Sequence, residues 1–390
     1  MNVLYDHQIF EAQKFGGISR YFYELWRHAE IVGFSAQIEI RYGRNAYLLE
    51  ANEFRSSMQS FDDPWRVFLE HANVLGKELI LRVKHRLVPG KPWKPILKEK
   101  NRHAVLEHFQ CHAPDIFHPT YYDPYFLEAL QDRPFVLTVF DMIHERFPEY
   151  FKLTDRVSAN KQRLCRAAAR IIAISEQTKR DLIDLFHIDP DKIAVVHLAN
   201  SISSAQNAPV IALPETYLLF TGSRTIYKNF YFFVRAIADI LRDYNIALVC
   251  TGKHFSADDR NFFESLGVQH HVRHIAADDP MLAHLYHQAR AFVFPSLYEG
   301  FGIPVLEAFA CGCPAILSNT PSLQEVGGNA AVYFDPKDIT AIQEAVVHVI
   351  LHENVRTDLI ARGYERVKLF SWETTARKTA EVYQRALDSY

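Results

Sequence analysis

From one end of the chain to the other, short β-branched or aromatic runs alternate with longer stretches of helical period. NVLYD precedes a helical stretch from about Ile18, and QIEIRY, FVLTVF, RIIAI and IAVVH follow. YLLFT, IALVCT, HVRHI, AFVFP, PAILS and AVYFD continue the pattern in the second half. Strand–helix alternation on this scale predicts an α/β fold of parallel sheets covered by helices on both faces. The stretch Ala199–Pro214, ANSISSAQNAPVIALP, is small, polar and Pro-containing, as an inter-domain linker is. The chain of 390 residues is long enough for two cores. The expected organisation is therefore two doubly wound domains over 1–200 and 201–370. A closing helix over 371–390, opened by Ser371, is expected to pack back on the first domain. Ligands of such sheets sit beyond the carboxyl ends of the strands, so chemistry is expected in a cleft between the halves.

Composition excludes several classes. Lys and Arg number 43 against 46 Asp and Glu, a net charge of −3, which leaves no chain-wide positive field for nucleic acid. The five cysteines are odd in number and the start, MNVLYDHQIFEAQKFGG, has no leader pattern, which points to a reducing, cytoplasmic setting. No apolar run approaches the ~20 residues that cross a bilayer. One segment departs from the average: 77–103 carries nine Lys/Arg (Lys77, Arg82, Lys84, Arg86, Lys91, Lys94, Lys98, Lys100, Arg102) against Glu78 and Glu99, a local charge of +7. Leu79, Ile80, Leu81, Val83, Leu87, Trp93 and Ile96 are interleaved with those charges. The segment is either a solvated face or a surface that docks on anionic headgroups from the cytoplasmic side.

Three stretches carry the candidate chemistry. In FVFPSLYEGFGIPVLE a strand ends at Pro295, the turn Gly300–Phe301–Gly302 follows, and Pro304 opens a helix. Backbone N–H groups at such a turn hold anions and hydroxyls. Glu299 and Glu307, eight residues apart, supply two carboxylates to the same cleft, each able to accept from a diol. In YLLFTGSRTIYKN a strand ends at Gly222, and Arg224 and Lys228 bring two cations to its carboxyl end, a pairing suited to a diphosphate. In FGGISRY, after the first strand, Gly16 and Gly17 allow backbone approach to a ligand and Arg20 adds charge from the opposite wall.

The ordered set FGGISRYF, VLTVFDMIHERFPEY, IIAISEQTKRDL, FTGSRTIYKNF and PSLYEGFGIPVLEAFACGCPAILSN resembles the retaining glycosyltransferase family 4, of GT-B architecture, from Gly16 to about Asp335. Glu299 and Glu307 match that family's E-x7-E signature. The resemblance implies that Arg224 and Lys228 clamp the diphosphate of a nucleoside-diphosphate sugar. It implies that Glu299 and the backbone of Gly300, Phe301 and Gly302 hold the donor sugar, that Glu307 binds ribose, and that Gly16 and Gly17 close on the phosphates. Many members have a His directly before the Asp of VFDMIHE, whereas here Phe140 precedes Asp141. Asp141, His118 and His144 are therefore alternatives for the contacts to the transferred sugar or acceptor.

The reaction so implied is front-face transfer with retention to a glycan or lipid-linked acceptor, as in bacterial O-antigen synthesis. It uses a nucleoside-diphosphate sugar as substrate, with no resident cofactor and no metal. Asp189–Pro190–Asp191 spells a D-x-D but reads as turn chemistry, and neither Cys311/Cys313 nor His284/His287 has the company a metal site requires. A nicotinamide enzyme is disfavoured because no G-x-G-x-x-G follows a strand: after Gly300 and Gly302 the sixth position is Val305. A non-catalytic sugar-nucleotide-binding scaffold and a sugar-nucleotide 2-epimerase remain the alternatives.

Overall fold

The computed structural model of the chain describes residues 1–55, 58–60, 93–202 and 211–389. The first half supplies β1 (Asn2–Tyr5), β2 (Ser35–Ile38), a short pair β3 (Tyr42–Gly43) and β4 (Gln59–Ser60), β5 (Ile116–His118), β6 (Val136–Val139), β7 (Arg170–Ala173) and β8 (Ile193–Val195). The parallel sets β2-β1-β5 and β6-β7-β8 are joined by a bridge between Phe117 and Phe135. The second half supplies β9 (Tyr217–Phe220), β10 (Ala247–Cys250), β11 (Val272–His274), β12 (Ala291–Phe294), β13 (Ala315–Ser318) and β14 (Ala331–Phe334). These form one parallel sheet in the order β11-β10-β9-β12-β13-β14. That is the Rossmann order, with its reversal between β9 and β12.

The central strands read as unbroken apolar runs because both faces are covered: every residue of β6, β9, β10, β12 and β13 is buried. Helix starts are set by side-chain caps. Ser175 accepts from the N–H of Thr178, Ser256 and Asp259 form a reciprocal capping box, and Ser371 accepts from Thr374. Asp189 likewise accepts from the N–H of Asp191, so the D-x-D is the opening of a single helical turn.

The helix Trp372–Leu387 packs on the helix Gly17–His28 and on β7 of the first domain. The Tyr383 hydroxyl shares a hydrogen bond of 3.1 Å with that of Tyr5, and Trp372 Nε1 donates to Ser201 at 2.8 Å. One apolar cluster runs without a break from Tyr5, Phe22 and Ile172 through Phe301 and Val305 to Phe292 and Leu317, so both domains share a core where they meet. Of the expected linker, 203–210 lies outside the described residues, as does 77–92 of the basic segment.

Trp93–His112 is a helix, and two of its cations are spent inside the domain. Lys98 donates to Asp123 at 2.9 Å and Arg102 donates to the same carboxylate. The +7 of the segment is therefore not wholly available to an anionic surface. No helix among the described residues is long and apolar enough to cross a membrane.

Candidate active site between the two domains

At the switch point of the second sheet, β9 is followed by Thr221 and Gly222, and β12 by the loop that carries Glu299. The turn Ile226–Lys228 brings Lys228 back over that loop, tied by the N–H of Leu297 donating to the Tyr227 carbonyl at 2.7 Å. Lys228 Nζ donates to Glu299 Oε1 at 2.6 Å, with the two side chains only 16% and 10% exposed. The ammonium also lies 5.0 Å from the centre of the Phe294 ring. A cation and a carboxylate are thus held together, largely desolvated, at the carboxyl end of the central strands.

Glu307 stands on the fifth residue of the helix Ile303–Ala310, facing the same end of the sheet. Its Oε2 accepts from the Tyr286 hydroxyl at 3.1 Å, and Tyr286 lies 3.4 Å from the hydroxyl of Thr221. Burial pushes the Glu307 carboxyl up to about 7, against the opposing pull of Arg20 and of Tyr286. Arg20 comes from the first domain: it donates to Asp279 across the cleft and, through Nε, to the Tyr47 hydroxyl at 3.2 Å. Because the folded chain holds this proton more tightly than the unfolded one, the contribution of Glu307 is fully present below the ordinary carboxyl range. It is lost as pH rises from there to about 7. Glu307→Gln is expected to remove that part of the slope in a plot of Tm against pH.

The first domain meets this site at Gly300. A Cβ there would lie 1.8 Å from the Phe140 carbonyl oxygen and 3.2 Å from Asp141 Cβ, so only glycine lets the two backbones approach. The Gly300 carbonyl accepts from Ser175 Oγ at 2.6 Å, and Tyr298 donates to Asp181 at 2.6 Å. A Cβ on Gly17 would lie 3.6 Å from Ile303, so the N-terminal glycine loop reaches the start of the helix that bears Glu307.

Not every residue singled out in the sequence arrives there. Arg224 folds into its own domain: it donates to the carbonyls of Lys253 and His254 at 2.7 and 3.0 Å and lies over the Phe255 ring at 4.9 Å. Arg224 and Lys228 therefore have separate partners, the guanidinium the carbonyls of Lys253 and His254 and the Phe255 ring, the ammonium Glu299.

His118 is fully buried, with Nδ1 against the Tyr383 hydroxyl at 2.7 Å and Nε2 against Thr138 at 2.9 Å. Burial lowers its pKa to about 3. It is a core imidazole and does not face the cleft. The Phe301 side chain packs against His197 and Phe370, leaving only its backbone for a ligand. Asp141 lies at the interface beside Gly300, and Gly222, with φ of 99°, is exposed beside Thr221. His144 faces a separate concavity.

Sequence reasoning missed Tyr286, Asp279 and Lys161. Lys161 is 1% exposed, and its ammonium donates to the Asp141 carbonyl and to Glu145, both at 2.9 Å. A lysine mid-helix gives no signal that its neighbours will bury it. Among the described residues, no three His, Cys, Asp or Glu side chains stand together as a metal site would need.

Two Rossmann-like domains that meet at the carboxyl ends of their strands, with a final helix crossing back to the first, form the GT-B architecture. The description "Glycosyl transferases group 1" matches residues 202–366, and "Glycosyltransferase Family 4" matches residues 46–199. The chain is 31% identical over 294 residues to an O-antigen chain mannosyltransferase of Escherichia coli, covering 69% of this chain and 74% of that one. To an O-antigen chain mannosyltransferase of Salmonella typhimurium it is 27% identical over 220 residues, 55% of this chain and 60% of that one. A glycosyltransferase structure from Rickettsia africae superposes with a TM-score of 0.68 at 17% identity, covering 99% of this chain and 98% of that one. The chain belongs to glycosyltransferase family 4, the group 1 glycosyl transferases.

Proposed function

We propose that the chain transfers a mannosyl unit, with retention, from a nucleoside-diphosphate sugar to a growing bacterial surface polysaccharide. The observation that carries this reading is the Lys228–Glu299 pair at the switch point, with Glu307 buried on the helix that follows the Gly300–Gly302 turn. The sugar and the pathway are suggested by the relatives, which are named as O-antigen mannosyltransferases.

In this reading Glu299 accepts from hydroxyls of the donor sugar, and Glu307 accepts from ribose hydroxyls. Lys228 and the start of the helix Ile303–Ala310 receive the charge that develops on the diphosphate. The bond from the anomeric carbon to the phosphate oxygen breaks, and a bond to the acceptor oxygen forms on the same face. The acceptor proton passes to the departing phosphate oxygen. No nucleophile backed by a base is required.

The test is a thermal-shift panel of UDP, GDP, dTDP, ADP and CMP, with NAD as control, on the wild type and on Glu307→Ala. One diphosphate is expected to stabilise the wild type, by ~2.7 kcal/mol at ~100-fold over Kd, and the shift is expected to be lost in the variant. No shift with any diphosphate, or a shift indifferent to Glu307, would overturn the reading.

A further inference from the structure

The first turn and middle of the helix Glu176–Phe186, in the first domain, are bonded to the second domain from two separate elements. One is the loop that carries Glu299: Tyr298 donates to Asp181 at 2.6 Å, and the Gly300 carbonyl accepts from Ser175 Oγ, at the cap of the same helix, at 2.6 Å. The other is the helix Pro321–Gly327. Its Glu325 accepts from the Glu176 N–H at 3.0 Å through each carboxylate oxygen, and Oε1 also lies 2.6 Å from His197 Nε2. An ionised carboxylate only accepts, so Nε2 carries the hydrogen.

Glu176 is the first residue of its helix, where the N–H has no acceptor within the helix and the positive end of the dipole favours an anion. Here the other domain supplies that anion. The Glu325 side chain is 17% exposed and the His197 side chain 35%, so water weakens the contact only in part. Both sides are braced. The His197 ring packs on Phe301 and on Phe370, each at 5.7 Å, and its carbonyl accepts from Thr375 of the final helix at 2.8 Å. Arg366 Nε donates to the Val326 carbonyl, next to Glu325, at 2.9 Å.

Two bonds from a single loop let the second domain pivot about that loop. A further bond from another element fixes the angle. We propose that Glu325 is a positioning residue, an interdomain latch that sets the angle at which Lys228 and Glu299 stand against the first domain. Its importance rests on the transfer proposed above, in which the donor site of one domain must face the other.

The test follows the wild type, Glu325→Ala and Glu325→Gln by small-angle scattering and by NMR exchange of the Glu176 amide. In Glu325→Ala the amide is expected to exchange about tenfold faster or more, as the loss of one hydrogen bond to a charged group allows, and the particle to become more extended. Glu325→Gln keeps an acceptor for the Glu176 N–H, so both readouts should return most of the way to wild type. The thermal shift given by UDP, GDP, dTDP or ADP should be retained in both variants, as the donor site lies apart from the latch. A carboxylate that merely stabilised the fold would lower Tm and leave the scattering of the folded protein unchanged. Unchanged scattering in Glu325→Ala, or exchange at Glu176 indifferent to the substitution, overturns the latch while leaving the donor reading intact. Absence of any diphosphate shift in the wild type overturns the donor reading instead, and scattering and exchange, which need no ligand, still decide the latch.

Discussion

Lys228→Ala is expected to lower kcat by ~10²–10³, the cost of removing one preorganised charge from a developing oxyanion. The ammonium is fixed before any ligand arrives, 2.6 Å from Glu299 and packed over the Phe294 ring, so it needs no reorganisation during reaction. Its removal has a second consequence, because Glu299, 8% exposed, is left as an unpaired carboxylate and the fold is destabilised. The two effects separate in Lys228→Ala/Glu299→Gln, where Tm should recover while kcat stays low. Steady-state rates with saturating donor, together with melting curves, check both. A kcat within a few-fold of wild type in the single variant would remove Lys228 from the chemistry. Arg224→Ala offers the contrast. Its guanidinium serves carbonyls at 253 and 254 and the Phe255 ring, so its loss should appear first in Tm.

Lys228 and Arg224 show how far a sequence carries such a site. Both follow a buried strand that ends in glycine, and both were expected at its carboxyl end. The partners that separate them, Phe255 and Asp259 for Arg224, lie on a different strand–helix unit and outside any local pattern. Glu299 and Glu307 were legible because a strand, a Gly-x-Gly turn and a Pro-opened helix set their positions from within one short stretch. Arg20 was legible as a charge from the opposite wall, whereas its partner Asp279 was not, since that pairing spans the two domains.

The strands show the same limit. The apolar runs of β9, β10, β12 and β13 were readable, because full burial on both faces leaves no ambiguity. In the first domain, QIEIRY divides between β2 and β3, and β5 was missed. Three residues followed by Pro119 carry too little periodicity to read. His118, at the end of β5, looked like a cleft imidazole until the final helix placed Tyr383 against it.

Gly300→Ala is expected to reduce kcat/KM by ~10² or more, because a displacement of about 1 Å in a reacting constellation has that effect. The new Cβ would stand 1.8 Å from the Phe140 carbonyl oxygen and 2.9 Å from its carbon. Both are backbone atoms and no rotamer change relieves them, so the second domain must withdraw from the first. Withdrawal stretches the bonds from Ser175 and Thr178 to the Gly300 carbonyl, at 2.6 and 3.4 Å, and carries Glu299 and Lys228 away from Asp141. Each domain keeps its own sheet, so overpacking of ~1–3 kcal/mol should lower Tm only modestly. Small-angle scattering should then report a more extended particle. Wild-type turnover with an unchanged scattering profile would show that the two domains do not need this contact to assemble the site. Gly17, which reads in the sequence as the same kind of loop glycine, makes the comparison informative. Its added Cβ meets Ile303 at an ordinary 3.6 Å, so Gly17→Ala should leave the scattering profile as it is, and only the glycine that touches foreign backbone governs how the domains close.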